Sequence, residues 1–353
     1  MRERTYTRGL YAVAGAATSL FLIYAYAHPV SPSSITAAAK ASSTRRAPAG
    51  TASSPTTTTS ASETTSALSS LINPTKKYLG VAQDNVPNSM TDLAALTKKI
   101  GKSPNLIAYY VPWGQPLNQT WVLDLDNDGI MPLIQFEPTK PSIADIAAGA
   151  SDAYATTLAQ TIKNLGVPVV LSFGHEMNGN WFTWGTQQTS AADFVKAWKR
   201  IHDIFAEAGA TNVIWLWDVN VTYPVPNIAL DPLYPGDAYV DWVGLTGYYN
   251  TTAGGRSTFK TLFEPTMEQV REFTEKPFLI AETGVSPGAE KPTEIENLFT
   301  GVEDHADVLG FVWFNYNKPG KNETDWMIDS DSTSAKTFAS LAQGPDWGFP
   351  RTP

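Results

Sequence analysis

From Tyr78 onward, short apolar runs rich in β-branched and aromatic residues alternate with longer stretches whose apolar residues recur at helical spacing. The runs fall at residues 78–83, 105–112, 130–136, 167–174, 212–217, 240–247, 277–281 and 308–315. Between the fourth and fifth lies the clearest helix. Ser190 can cap its start, Phe194, Trp198, Ile201 and Phe205 line one face, and Gly209 can end it. Further helices are predicted over 90–100, 152–164, 259–273 and 293–305. Continuous apolar strands alternating with amphipathic helices are the pattern of a parallel sheet covered by helices. Eight of them predict an α/β protein with a (β/α)8 TIM barrel, placed at residues 71–353.

The pattern breaks down before the barrel. Residues 28–70 are dominated by Ser, Thr, Ala and Pro and include the run Thr56-Thr57-Thr58-Thr59. Such a stretch buries too little apolar surface to fold, so it is expected to be a disordered linker. Residues 1–27 carry Arg2, Arg4 and Arg8, then an uncharged stretch through Leu20-Phe21-Leu22-Ile23, then Ala25-Tyr26-Ala27. That order suits a cleaved signal peptide, and the apolar length also suits an uncleaved membrane anchor. Secretion is favoured, with the membrane tether as the alternative.

Composition narrows the partners. A chain of 353 residues with 42% hydrophobic and 17% charged residues can bury one large core, and a monomer is expected. The formal net charge of −9 argues against nucleic acid, whose phosphates demand clustered Lys and Arg. A neutral polymer fits better. There is no cysteine, so neither disulfides nor thiolate metal sites can form.

Chemistry concentrates where the fourth run ends, in V-P-V-V-L-S-F-G-H-E-M-N-G-N-W-F-T-W from Val167 to Trp184. In β/α barrels the catalytic groups sit at the carboxyl ends of the strands, so Glu176 is the first candidate. The other reading of Glu176 is a structural carboxylate hydrogen-bonded in the barrel mouth. His175-Glu176 does not open a zinc-binding H-E-x-x-H helix, because Gly179 holds the place of the second His.

Gly174-His175-Glu176-Met177-Asn178-Gly179 with Trp181 and Trp184-Gly185 resembles the acid/base signature of glycoside hydrolase family 26, the β-mannanases and related β-glucanases. Val213-Ile214-Trp215-Leu216-Trp217 agrees, and Lys276-Pro277-Phe278-Leu279-Ile280-Ala281-Glu282-Thr283-Gly284 resembles the family's nucleophile strand. The match runs over most of the chain from about Tyr78. Ser172 departs from it, since mannanases of the family usually carry Arg three residues before the His.

The resemblance implies a retaining mechanism with Glu176 as acid and then base, and Glu282 as nucleophile. It also implies that Tyr248 hydrogen-bonds the nucleophile and that Trp313 forms the floor under the reacting sugar. Trp113, Trp181, Trp184, Trp217, Tyr248, Tyr249 and Trp313 all fall near the expected mouth, where aromatic faces can stack on sugar C–H faces. Trp181, Trp184, Trp217, Tyr248 and Trp313 are therefore the substrate-binding candidates. Trp215 and Trp217 share one face of their strand and Leu216 the other, so alternation alone does not say which face binds. His175 either orients the site or is a satisfied structural residue.

Asp124-Leu125-Asp126-Asn127-Asp128-Gly129 resembles the opening of a calcium loop, but the twelfth position is Gln135 where a bidentate Glu belongs. An acidic turn before a strand is the expected structure, with no metal and no cofactor. Asn-x-Ser/Thr sequons occur at Asn118, Asn220, Asn250 and Asn322. The reading is an endo-glycosidase acting on a β-linked polysaccharide, with β-1,4-mannan first. A β-1,3- or mixed-linkage β-glucanase and a catalytically silent carbohydrate-binding barrel are the alternatives.

Overall fold

The computed structural model describes residues 68–222, 228–250, 255, 258–320 and 323–350. The expected leader and nearly all of the expected linker lie outside them. The strands are β1 (Tyr78–Gln83), β2 (Leu106–Pro112), β3 (Met131–Glu137), β4 (Val169–Phe173), β5 (Val213–Asn220), β6 (Trp242–Thr246), β7 (Phe278–Thr283) and β8 (Val308–Asn315). They close a barrel in chain order. Every neighbouring pair is parallel, and β8 returns to β1 in unbroken register from Tyr78↔Gly310 to Gln83↔Asn315.

Strand alternation divides the core into two apolar bodies. Leu106, Ala108, Met131, Leu133, Val170, Ile214, Leu216 and Leu279 fill the barrel interior. Ile107, Ile134, Leu171, Trp215, Trp217, Val243 and Trp313 point outward and meet the helices. Those helices are α1 (Met90–Ile100), α2 (Gln119–Asn127), α3 (Ile143–Ala147), α4 (Asp152–Leu165), α5 (Ala191–Ala208), α6 (Phe259–Leu262), α7 (Glu264–Arg271), α8 (Lys291–Asp304) and α9 (Ser332–Ala342). Helix α5 begins and ends as its sequence predicts. The Ser190 hydroxyl accepts from the Asp193 amide at 3.1 Å, and Gly209 closes the helix at φ +73°.

Some elements differ from expectation. The helix expected over 259–273 is two helices, because Pro265 stands in the first turn of α7, where its missing N–H costs nothing. The acidic run at residues 124–129 closes α2: the Asp128 amide bonds back to Asp124, and Gly129 takes φ +72°. Among the described residues no cluster of three or more His, Cys, Asp or Glu could hold a metal ion. Strand β5 continues to Asn220, three residues past the predicted end.

The amino-terminal mouth is plugged by a helical segment at residues 68–72, so the linker boundary expected at residue 70 falls inside structure. Leu71 joins the interior cluster. The Tyr78 hydroxyl donates to the Leu71 carbonyl at 2.7 Å and the Trp242 indole N–H to the Ile72 carbonyl at 2.9 Å. Removing residues 28–73 would take away the acceptors of both bonds, at about 1–3 kcal/mol each. Thermal unfolding of that truncation is expected several degrees below the full chain, whereas removing residues 28–67 alone should leave the midpoint unchanged.

Candidate active site

Strand β4 delivers its last residues to the mouth through a left-handed turn. Gly174 has φ +62° and Glu176 φ +53°, a conformation that a non-glycine residue adopts only when its surroundings hold it there. Three contacts hold it. The Glu176 amide donates to the Asp218 carbonyl on β5 at 2.8 Å, the Trp184 indole N–H donates to the His175 carbonyl at 2.7 Å, and Asn178 bridges to Asn220. Gly179 is obligatory for a different reason: a Cβ there would lie 2.6 Å from the Trp181 ring. That close approach seats Trp181 beside the carboxyl, and its indole N–H donates to Glu176 Oε2 at 3.2 Å. Asn220 Nδ2 donates to Glu176 Oε1.

Glu282 reaches the same mouth through an irregularity in β7. Ala281 belongs to the interior cluster, so strict alternation would turn residue 282 outward to the helices. The pairing with β6 slips between Gly244 and Thr246, which face Leu279 and Glu282, and the pairing with β8 slips as well. One extra residue in β7 thus re-aims Glu282 inward, as bulges near active sites commonly do. Its two oxygens accept from two phenols, Tyr110 on Oε2 and Tyr248 on Oε1. Burial and the Glu282 charge hold both phenols well above the usual tyrosine range, so they remain neutral donors.

The two carboxyls have unlike surroundings. Each glutamate is 8% exposed, buried yet reachable from the cleft. Burial first, and then the neighbouring Glu282 charge, push Glu176 up to about 8, against the opposing pull of the Asn220 and Trp181 donors. Glu176 is therefore an acid that keeps its proton at neutral pH, while Glu282 receives the O–H donors that suit a carboxylate. A third carboxyl, Asp218, is fully buried beneath them and accepts from the Thr246 hydroxyl at 3.2 Å. Burial first, and then the charge that either glutamate carries when ionised, raise its proton affinity well above normal. It has room only because β6 offers Gly244, where a Cβ would sit 2.8 Å from Asp218 Cβ.

His175 is enclosed by Tyr110, Phe182 and Trp184, with ring centroids 5.6, 5.0 and 5.6 Å away, and burial lowers its pKa to about 3. It is a neutral imidazole in an aromatic box.

The structure brings Glu176, Glu282, Trp181 and Tyr248 together and places His175 beside Tyr110. Three expected platforms lie elsewhere. Trp217 is fully buried on the outer face of β5, bonded to the Leu233 carbonyl at 3.1 Å and packed on Tyr234 and Phe273. Trp313 is likewise outward and buried, edge-on to Phe338, with its N–H on the Trp326 carbonyl at 2.7 Å. Trp184 is stacked on Phe182 at 4.2 Å and is 2% exposed, so it braces the loop and offers no face to a ligand. Trp113 is also walled in, between Phe136, Phe173 and Tyr154.

Four residues of the site went unmarked in the sequence. Tyr110 and Asp218 were readable by alternation from Ala108 and Leu216. Asn220 counts as a sequon by its sequence, yet its carboxamide is buried on Glu176. Trp326, after β8, packs on Tyr248 with centroids 4.5 Å apart and belongs to the interior cluster that Trp313 does not join.

Comparison with known proteins places the chain in a family. The family model for Glycosyl hydrolase family 26 matches residues 107–325. Endoglucanase H of Acetivibrio thermocellus is 31% identical over 252 residues, 67% of this chain and 27% of its own. Mannan endo-1,4-beta-mannosidase A and B of Caldalkalibacillus mannanilyticus is 26% identical over 183 residues, 48% of this chain and 33% of its own. The chain thus spans about a third or less of the length of these two relatives. In fold it is similar to the family 26 β-mannanase of Bacteroides ovatus, with a TM-score of 0.59 at 17% identity over 82% of this chain and 95% of that one. With the family match extending over more than half of its residues, the chain belongs to glycosyl hydrolase family 26.

Proposed function

We propose that the chain is a retaining endo-glycosidase that cleaves a β-linked polysaccharide, with Glu176 as acid/base and Glu282 as nucleophile. The observation that carries this reading is the pair of buried carboxyls in one mouth, one poised to hold a proton and the other fed by two phenol O–H donors. Glu176 would protonate the departing glycosidic oxygen while Glu282 attacks the anomeric carbon. The resulting glycosyl ester removes the Glu282 charge, which lowers the proton affinity of Glu176. It can then take a proton from the water that releases the sugar.

For the substrate we place β-glucan ahead of β-mannan. A relative matched over 252 residues at 31% identity is an endoglucanase, and the uncharged, fully buried Ser172 stands where mannanases of the family usually carry Arg. The mannosidase relative supports β-1,4-mannan as the second reading. Reducing-sugar release from purified mixed-linkage β-glucan, β-1,3-glucan and β-1,4-mannan tests the order. Faster release from mannan than from either glucan would reverse it, and no release from any would sink the enzyme reading. Export of the enzyme, read from residues 1–27, belongs to the same proposal, and recovery of the activity from culture medium checks it.

The pH dependence follows from Glu176. An acid must be protonated to act, and its affinity for the proton is raised, so kcat/KM should hold through neutral pH and fall as the pH rises through about 8. A fall already complete by pH 6 in a kcat/KM profile on polysaccharide would show that the proton affinity of the acid is not raised.

A further inference from the structure

Asn178 lies outside the reacting pair but is wired to it. Its side chain is 1% exposed and makes both main-chain hydrogen bonds of Asn220: Oδ1 accepts from the Asn220 amide at 2.8 Å, and Nδ2 donates to the Asn220 carbonyl at 2.8 Å. The carboxamide thus acts as a short strand partner for the end of β5. That fixes the backbone from which the Asn220 side chain reaches Glu176 Oε1. Both ends of the bridge are anchored. The Asn178 side grows from the loop that holds Glu176 in its left-handed conformation, and the Asn220 side grows from barrel strand β5. The Glu176 amide adds a parallel tie to β5 at Asp218.

We propose that Asn178 is a positioning residue that sets the proton affinity of Glu176 by aiming the Asn220 donor at it, an inference that rests on Glu176 being the acid/base. A donor to a carboxylate favours the ionised form. Through Asn220, Asn178 opposes the burial that drives Glu176 toward the protonated form. It balances the residue between its two duties, giving a proton in the first step and taking one in the second. Loss of the bridge lets the Asn220 side chain swing away, and Glu176 then holds its proton more tightly in both steps.

The test is a set of pH profiles on Asn178→Ala, Asn220→Ala and the double variant, with Glu176→Gln as the control. Asn178→Ala should move the alkaline limb of kcat/KM upward by about half a pH unit or more, a threefold change in the protonation ratio. With an activated aryl glycoside, whose turnover is limited by the second step, the acidic limb of kcat should move up in parallel. Asn220→Ala should give the same displacement, and the double variant no more than either single change, because both act along one path. A merely structural role would depress rates without moving either limb. Thermal unfolding identifies the folded variants, and if Asn178→Ala does not fold, Asn178→Ser is measured in its place. Limbs within about 0.2 units of the wild type, a downward shift, or additive shifts in the double variant would overturn the inference. If Glu176→Gln retains wild-type activity on polysaccharide, the acid/base assignment itself fails. If it is inactive while the Asn178 limbs stay fixed, only the role of Asn178 fails.

Discussion

Glu282→Ala is expected to lower kcat/KM by about 100,000-fold, which is about 7 kcal/mol of transition-state stabilisation. The loss should be the same for polysaccharide and for aryl glycosides with good leaving groups. The removed atom forms the covalent bond to the anomeric carbon, and no leaving group substitutes for a missing nucleophile. The two phenols that donate to Glu282 would be left facing a small cavity open to the cleft. Azide can enter that space and attack the sugar from the vacated side in a single displacement, giving a glycosyl azide of inverted configuration. Steady-state rates on both substrate classes and the anomeric configuration of the azide product check this. A loss confined to substrates with poor leaving groups, or an azide product of retained configuration, would assign Glu282 to the other role.

Glu176→Ala should divide the same two substrate classes. Polysaccharide, whose leaving alkoxide needs a proton, should lose about 100- to 10,000-fold in kcat/KM, whereas an aryl glycoside that departs unaided should lose far less. The second step still lacks its base, so the glycosyl ester on Glu282 should accumulate and turnover should stall after a burst. Azide needs no base and should speed that turnover, yielding an azide of retained configuration after two displacements. Equal losses for both substrates, with no response to azide, would remove Glu176 from the acid/base role.

Much of this is legible in the amino-acid sequence alone. The barrel was visible because each strand is buried on both faces and each helix on one, two periodicities that do not imitate one another. Helix α5, with Ser190 and Gly209 at its ends, shows how far local rules carry. Glu176 is marked by ending a buried strand, and Glu282 by the likeness of residues 276–284 to the family's nucleophile strand. Alternation fails where it is locally broken. Nothing in Ala281-Glu282-Thr283 announces the slipped pairing that turns Glu282 inward, since a bulge is settled by the two neighbouring strands. The tryptophans mislead for a related reason. A large aromatic ring serves the seam between barrel and helices as well as it serves a sugar face, and the outward face of β5 takes Trp215 and Trp217 while the quieter Asp218 and Asn220 look inward. Trp326 carries no mark in the sequence because its place depends on how the chain folds back after β8.

The burial of Asn220 also bears on how the enzyme can be manufactured. Asn220-Val221-Thr222 satisfies the acceptor rule for N-glycans, and oligosaccharyltransferases read nascent chains before the barrel closes. A glycan attached there would take the amide nitrogen that contacts Glu176 and would occupy the space meant for the substrate. Hosts without this modification avoid the hazard. In a glycosylating host, the active fraction of a preparation becomes a matter of competition between folding speed and the modifying enzyme.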